Sequence, residues 1–226
     1  MPFSVFLLTS ADLTDFEQYQ SRLLHKVFRN IDKNNMLNIQ IDPPFRDSSF
    51  TWGASHPVHR FQQPKHDRIA ELGYVNGVLR SFHMVWWRYV KSSKFRIEYL
   101  PSSVELLTVR GCEQSGNLCT RELPRECRMI DVSYSLYRGR IDLRNLPEKL
   151  EIFDGSCNFF KGAIFLDFLP ASLKRLNLNA NRDLTDVHYG ELPLAIEKID
   201  LMNIKAVQLQ PISGRYRENT SVFLIS

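Results

Sequence analysis

Several features that usually announce a function are missing from this chain. Nowhere do its apolar residues run to the 18 or more consecutive positions that a membrane-spanning helix needs. Its four cysteines, Cys112, Cys119, Cys127 and Cys157, form no CxxC pair. A chain of 226 residues buries enough core to fold without disulfide staples. The four are therefore read as reduced thiols, and the protein as intracellular, cytoplasmic or organellar. Six scattered histidines, with no nucleophile elbow, no glycine-rich phosphate loop and no Cys-His pairing, leave catalysis without a candidate. The expectation is a non-enzyme with no catalytic residue, no cofactor and no small-molecule substrate.

Net charge is also small. A formal net charge of +4 and a pI near 8.9 are mildly basic, without the dense Lys/Arg runs of histone-like or tail-type nucleic-acid binders. Residues 1–11 hold an apolar run ending in small residues but lack the positive leading segment of a secretory signal, so they are read as uncleaved.

What the chain does have is a period. Leu100-Pro101, Leu123-Pro124, Leu146-Pro147, Leu169-Pro170 and Leu192-Pro193 follow one another at intervals of 23 residues. Self-similarity at a spacing of about 20 to 50 residues marks a solenoid. Counted from each of these leucines as position zero, offset 4 holds Val104, Cys127, Leu150, Leu173 and Ile196. Offset 7 holds Leu107, Ile130, Phe153, Leu176 and Ile199, and offset 9 holds Val109, Val132, Gly155, Leu178 and Leu201. Offsets 7 and 9 alternate with period two, which places both on the inner face of a short strand and offsets 6, 8 and 10 on the outer face. Offset 12 carries Asn158 and Asn181, with Ser135 and Cys112 in the same place, where an amide can bond the backbone as the chain turns off the strand. Gly116, Gly139 and Gly162 at offset 16 permit a bend with positive φ, and alternation resumes after them, so the second half of each repeat is also expected to be extended.

The composite, LPxxLxxLxLxxNxxxGxIxLxx, resembles the leucine-rich repeat, most closely in residues 146–166 and 169–181. The resemblance implies a leucine-rich-repeat solenoid, a short parallel β-sheet superhelix with a partly helical N-terminal cap, that binds a protein partner through its concave sheet. On this reading residues 1–93 form the cap region, with a helix over about 11–31, an irregular connection and a second apolar segment. Residues 94–207 are the solenoid and residues 208–226 a C-terminal cap that seals the open core.

The outer columns are the candidate binding surface. Leu106, Met129 and Ile152 at offset 6 form an apolar strip, continued by Arg175 and Lys198, beside an acidic column of Asp131, Asp154 and Asp200 with Asn177. An exposed strip of this kind suits a partner segment with aliphatic and basic side chains; alternatively, the N-terminal third folds back over it. A second candidate, for RNA or protein, is the basic aromatic stretch 80–96 with Arg80, Trp86, Trp87, Arg88, Lys91, Lys94 and Arg96. Phosphate attraction and base stacking would make the protein a structural subunit of a ribonucleoprotein, whereas the same aromatic residues could simply plug the first repeat.

Two stretches resemble metal sites without completing one. From Asp32 the chain offers oxygen ligands like a calcium loop, yet Leu37 stands where the turn needs glycine and Pro43 where a bidentate carboxylate is needed. His56, His59 and His66 lack companions to complete a four-ligand set. The purified protein is therefore expected to show no calcium-dependent change in Tm and no stoichiometric zinc by elemental analysis; metal found at one equivalent would reverse that expectation.

Overall fold

A computed structural model describes residues 15–29, 69–85, 95–205, 208–211 and 220–225. It forms a parallel β-solenoid of about five turns with little helix. One helix, α1 (Asp15–Val27), precedes a hairpin of β1 (Ile69–Val75) and β2 (Val78–Val85). The repeats then alternate between two sheets. The first receives β3 (Leu106–Arg110), β5 (Met129–Asp131), β7 (Ile152–Asp154), β9 (Arg175–Asn177) and β11 (Lys198–Asp200). The second receives β4 (Ser115–Gly116), β6 (Leu136–Gly139), β8 (Phe159–Phe165), β10 (Asp183–Tyr189) and β12 (Gln208–Pro211). A last strand, β13 (Phe223–Leu224), pairs with β11 at the far edge.

The period of the sequence becomes the register of the sheet. Leu106 faces Met129, Met129 faces Ile152, Ile152 faces Arg175 and Arg175 faces Lys198, each partner one repeat on. Equivalent residues therefore stack directly, about 4.8 Å apart. Leu107, Ile130, Phe153, Leu176 and Ile199 form one buried column, none more than 1% exposed. Gly155 interrupts the neighbouring column, and its missing side chain is replaced by larger neighbours. A Cβ there would lie 2.9 Å from Phe153 and 3.2 Å from both Phe160 and Leu178 of the next repeat, so two rings and a leucine occupy the space.

At the corner between the sheets, the residue at offset 11 is left-handed: Tyr134, Cys157, Ala180 and Asn203 all have φ between 53° and 58°. The strain is held by the next side chain. Asn158 donates to the carbonyls of Val132, Gly155 and Ser156 at 3.0–3.1 Å and accepts from the Tyr137 amide at 3.1 Å. Asn181 repeats this one turn later, donating to Gly155 and Leu178 and accepting from Phe160. In the first repeat Cys112 does part of the work, its thiol lying 3.2 Å from the carbonyl oxygens of Met84 and Arg110. Gly116, Gly139 and Gly162 follow with φ of 100°, 85° and 81°.

The N-terminal boundary differs from the sequence expectation. The segment read as a second apolar stretch is a hairpin, turned by Asn76 and Gly77 at positive φ as a two-residue hairpin loop of this type requires. Its second strand, β2, pairs in parallel with β3, Phe82 beside Leu107 and Met84 beside Val109. The first sheet thus extends N-terminal to residue 94, β1 lying antiparallel at its edge and β2 joining β3 in parallel, because β2 continues the inner apolar columns although its spacing to β3 breaks the 23-residue period. The described part of the expected helix spans Asp15–Val27. Gln20 fastens it to the hairpin turn, its amide donating to the Gly77 carbonyl at 2.8 Å and accepting from the Leu79 amide at 2.7 Å. Phe28, Phe82 and Phe95 complete the contact as a three-ring cluster with centroids 5.8–6.3 Å apart.

Two substitutions test this architecture by chemical denaturation. Leu176→Ala should cost about 2–5 kcal/mol through the cavity it leaves. Asn181→Ala should cost on the order of 3 kcal/mol although it deletes no apolar group, since it strands buried carbonyls and the Phe160 amide. A negligible loss for Asn181→Ala would show that the corner holds itself.

Candidate functional site

The outer face of the first sheet places all nine proposed contact residues on adjacent strands, but does not expose them alike. Leu106 and Met129 are each only 4% exposed, and Ile152 is half-buried. The open apolar strip expected there is thus corrected: at its N-terminal end it is withdrawn from water, which is the favourable disposition for contiguous aliphatic surface. Arg175 and Lys198, further along the same column, keep 42% and 44% of their side-chain surface in water.

The acidic column has a local structural cause that the sequence reading did not consider. Each side chain at offset 8 accepts from the backbone amide two residues on: Asp131 from Ser133 and Asp154 from Ser156 at 2.9 Å, Asn177 from Asn179 at 3.0 Å, and Asp200 from Met202 at 3.2 Å. This is the bond by which Asp and Asn turn a chain, and it ends strands β5, β7, β9 and β11 after three residues. Asp131 also accepts from the Ser133 hydroxyl at 2.6 Å. Asp154 accepts from the Asn177 amide at 3.0 Å, and Lys198 pairs with Asp200 at 3.0 Å.

Asp131 and Asp154 face one another across β5 and β7. Burial, and secondarily the neighbouring Asp154 charge, push the Asp131 carboxyl up to about 6, against the bonds from Ser133 and the Arg110 guanidinium 3.7 Å away. Arg110 also lies over the Tyr134 ring, 4.9 Å from its centroid. The row continues on the hairpin side as Thr108 and His83, whose Oγ1 and Nδ1 are 2.9 Å apart.

A column not singled out in the sequence borders this face. Glu105, Arg128, Glu151, Lys174 and Glu197, at offset 5, alternate in sign from turn to turn. Glu105 pairs with Arg80 at 2.9 Å, Glu151 with Arg128 and Lys174, and Glu197 with Arg175 at 3.2 Å. Reading offset 5 down the repeats would have found it.

Chain comparison yields no match to any protein-family model and none to any curated protein.

Of the basic aromatic stretch, Arg80 is bonded to Glu105, and Arg96 to Glu98 at 2.9 Å with the Tyr99 ring 4.6 Å beneath it. Trp86, Trp87, Arg88, Lys91 and Lys94 lie outside the described residues, as do the loop from Asp32 and His56, His59 and His66. Among the described residues no group of three His, Cys, Asp or Glu could hold a metal ion, and no helix is long and apolar enough to cross a membrane. None of the four cysteines is in a disulfide; Cys112 and Cys127 are buried, Cys157 is half-buried and Cys119 exposed.

Because the Asp131 carboxyl is raised above its unfolded value near 3.9, the folded protein binds that proton more tightly. Its contribution to stability therefore falls as pH rises from about 4 to about 6 and is recovered on acidification. Glu151 behaves oppositely: burial works against its charge, but hydrogen bonds from Lys174 and Arg128 hold it below the usual range, so its contribution is lost only as pH falls below about 4. The unfolding free energy from urea titrations should therefore rise from pH 7 to pH 5, by about 1 kcal/mol, before falling in stronger acid. Asp131→Asn should abolish the rise and raise stability at pH 7; a wild-type midpoint that only falls with acidification would refute this account.

Proposed function

We propose that the protein is a leucine-rich-repeat solenoid acting as a non-catalytic protein-interaction module or scaffold subunit of an assembly, binding a protein partner through the outer face of its first sheet. The observation that carries this reading is the Asp131–Asp154 pair. Two mostly buried carboxylates sit on adjacent in-register strands, and the cation nearest Asp131 among the described residues is Arg110 at 3.7 Å. A partner Lys or Arg set across the pair would relieve the repulsion between two neighbouring, largely buried carboxylates. Half-buried Ile152 lies beside them for an aliphatic neighbour. The repeat pattern and the five stacked strands support the family assignment. The reading calls for no cofactor and no small-molecule substrate. RNA binding through residues 80–96 takes second place, because Arg80 and Arg96 already have carboxylate partners.

The test is the double substitution Asp131→Asn with Asp154→Asn. Asparagine can keep the strand-ending bond, as Asn177 does, so the fold should be retained while the charge is removed. Affinity capture with mass spectrometry should identify a principal partner whose binding to the double variant falls about tenfold or more and loses its salt dependence. Full-strength capture by the double variant would move the interface off this face.

A further inference from the structure

The second sheet presents a surface of different character. Its outward positions on β6 and β8 are Leu136 and Arg138, then Phe159, Lys161 and Phe165, with Arg140 just beyond β6. Phe159 is 53% exposed, Phe165 47%, and Phe168 in the following turn 66%. Rings of this size left in water forgo the stabilisation that burial would give them. Below them the strands are held firmly, Tyr137 and Phe160 stacking with centroids 6.4 Å apart on the buried side.

The cations here are also unlike those of the first sheet. There Arg80, Arg110, Arg128, Lys174, Arg175 and Lys198 all have carboxylate partners. Among the described residues, Arg138, Arg140 and Lys161 are in no ion pair, and all three are exposed. Arg138 is the register partner of Phe159. Arg140 lies across β8, its Nε 3.6 Å from where a Cβ on Gly162 would stand, so the glycine leaves a shelf for the guanidinium. No acidic residue stands on β6 or β8; Asp142 and Asp167 lie in the turns that follow them, and Asp183 and Asp186 on β10 border the surface.

We propose that this face binds single-stranded RNA, with bases stacking on Phe159 and Phe165 and phosphates taken by Arg138, Arg140 and Lys161. Rings standing on an open sheet offer π-faces to any unstacked base, and free cations beside them match a phosphate chain. Phe159 and Phe165 are six residues apart on one strand, roughly 20 Å, with Lys161 between them. That separation suits an extended polymer better than a protein anchor, which gathers aromatic contacts in one desolvated pocket. The stacking of Phe165 on His188, 4.7 Å between centroids, fixes one ring in place. Asn117, whose amide fills the hollow over Gly139, can both donate to and accept from a 2′-hydroxyl, which favours RNA over DNA. The site is independent of the partner surface on the first sheet and of residues 80–96.

The experiment uses the full chain with a fluorescein-labelled 12-mer of oligouridine, read by anisotropy between 50 and 200 mM salt. Binding should weaken with a log–log slope of about −2, as expected for three phosphate contacts on a single strand. Phe159→Leu with Phe165→Leu should lower affinity about tenfold or more at unchanged Tm, Phe159→Tyr with Phe165→Tyr should restore it, and Arg138→Gln, Arg140→Gln and Lys161→Gln together should flatten the slope. No binding by folded wild type, or binding that the leucine pair leaves intact, would overturn the proposal. So would equal affinity for oligodeoxyuridine, which denies the preference for RNA, or for oligoglutamate, which would reveal only an acid-binding patch. Should the leucine pair fail to fold, the glutamine triple and the oligoglutamate comparison still decide.

Discussion

In-register parallel pairing at a period of 23 residues is the constraint on which the rest of the structure depends. Once each residue lies directly beside its equivalent in the next turn, every column must be compatible with itself. Apolar columns meet this requirement easily: Leu107 through Ile199 bury one another, and where Gly155 leaves a gap Phe153, Phe160 and Leu178 fill it. Asparagine meets it through its two-sided amide, which donates to carbonyls of its own turn and of the preceding one while accepting from the strand that follows the earlier corner.

Charge cannot satisfy the constraint by repetition, since like charges directly opposite repel. At offset 5 the chain alternates instead, Glu105, Arg128, Glu151, Lys174 and Glu197, so that each turn meets opposite sign on both sides. Individually such exposed pairs contribute little. Collectively they penalise a slip by one repeat, which would set Glu against Glu, so the column specifies alignment more than it adds stability. Two columns depart from this: at offset 6 Arg175 faces Lys198, each cation bonded to a carboxylate of its own, and at offset 8 the carboxylates of Asp131 and Asp154 lie on neighbouring strands. Both carboxylates are kept for the bond that ends the strand, and the cost falls on the ionisation of Asp131, leaving this face short of positive charge.

The two sheets consequently differ in what they offer. On the first, cations are matched with carboxylates and the carboxylate row is in excess. On the second, β6 and β8 carry unmatched cations beside exposed rings. One scaffold thus holds two surfaces of opposite electrostatic need, facing away from each other.

The repeat, both extended halves of each turn, the inner columns and the corner roles of Asn158 and Asn181 were legible in the sequence, because a fixed period makes local pattern and long-range contact the same information. The hairpin that starts the sheet was not, since Phe82 and Met84 join the inner columns at a spacing that breaks the period, although Asn76-Gly77 was a turn signal available to be read. Sequence determined which side chains point outward; it did not determine which of those meet water. Leu106 and Met129 point outward and are buried, whereas Phe159 and Phe165 point outward and remain exposed, because exposure depends on what else packs against a face and alternation records only direction. The same limit applies to charge. That Arg138, Arg140 and Lys161 are in no ion pair among the described residues while Arg128 and Lys174 share Glu151 is a matter of which strands become neighbours, and only the tertiary structure decides that.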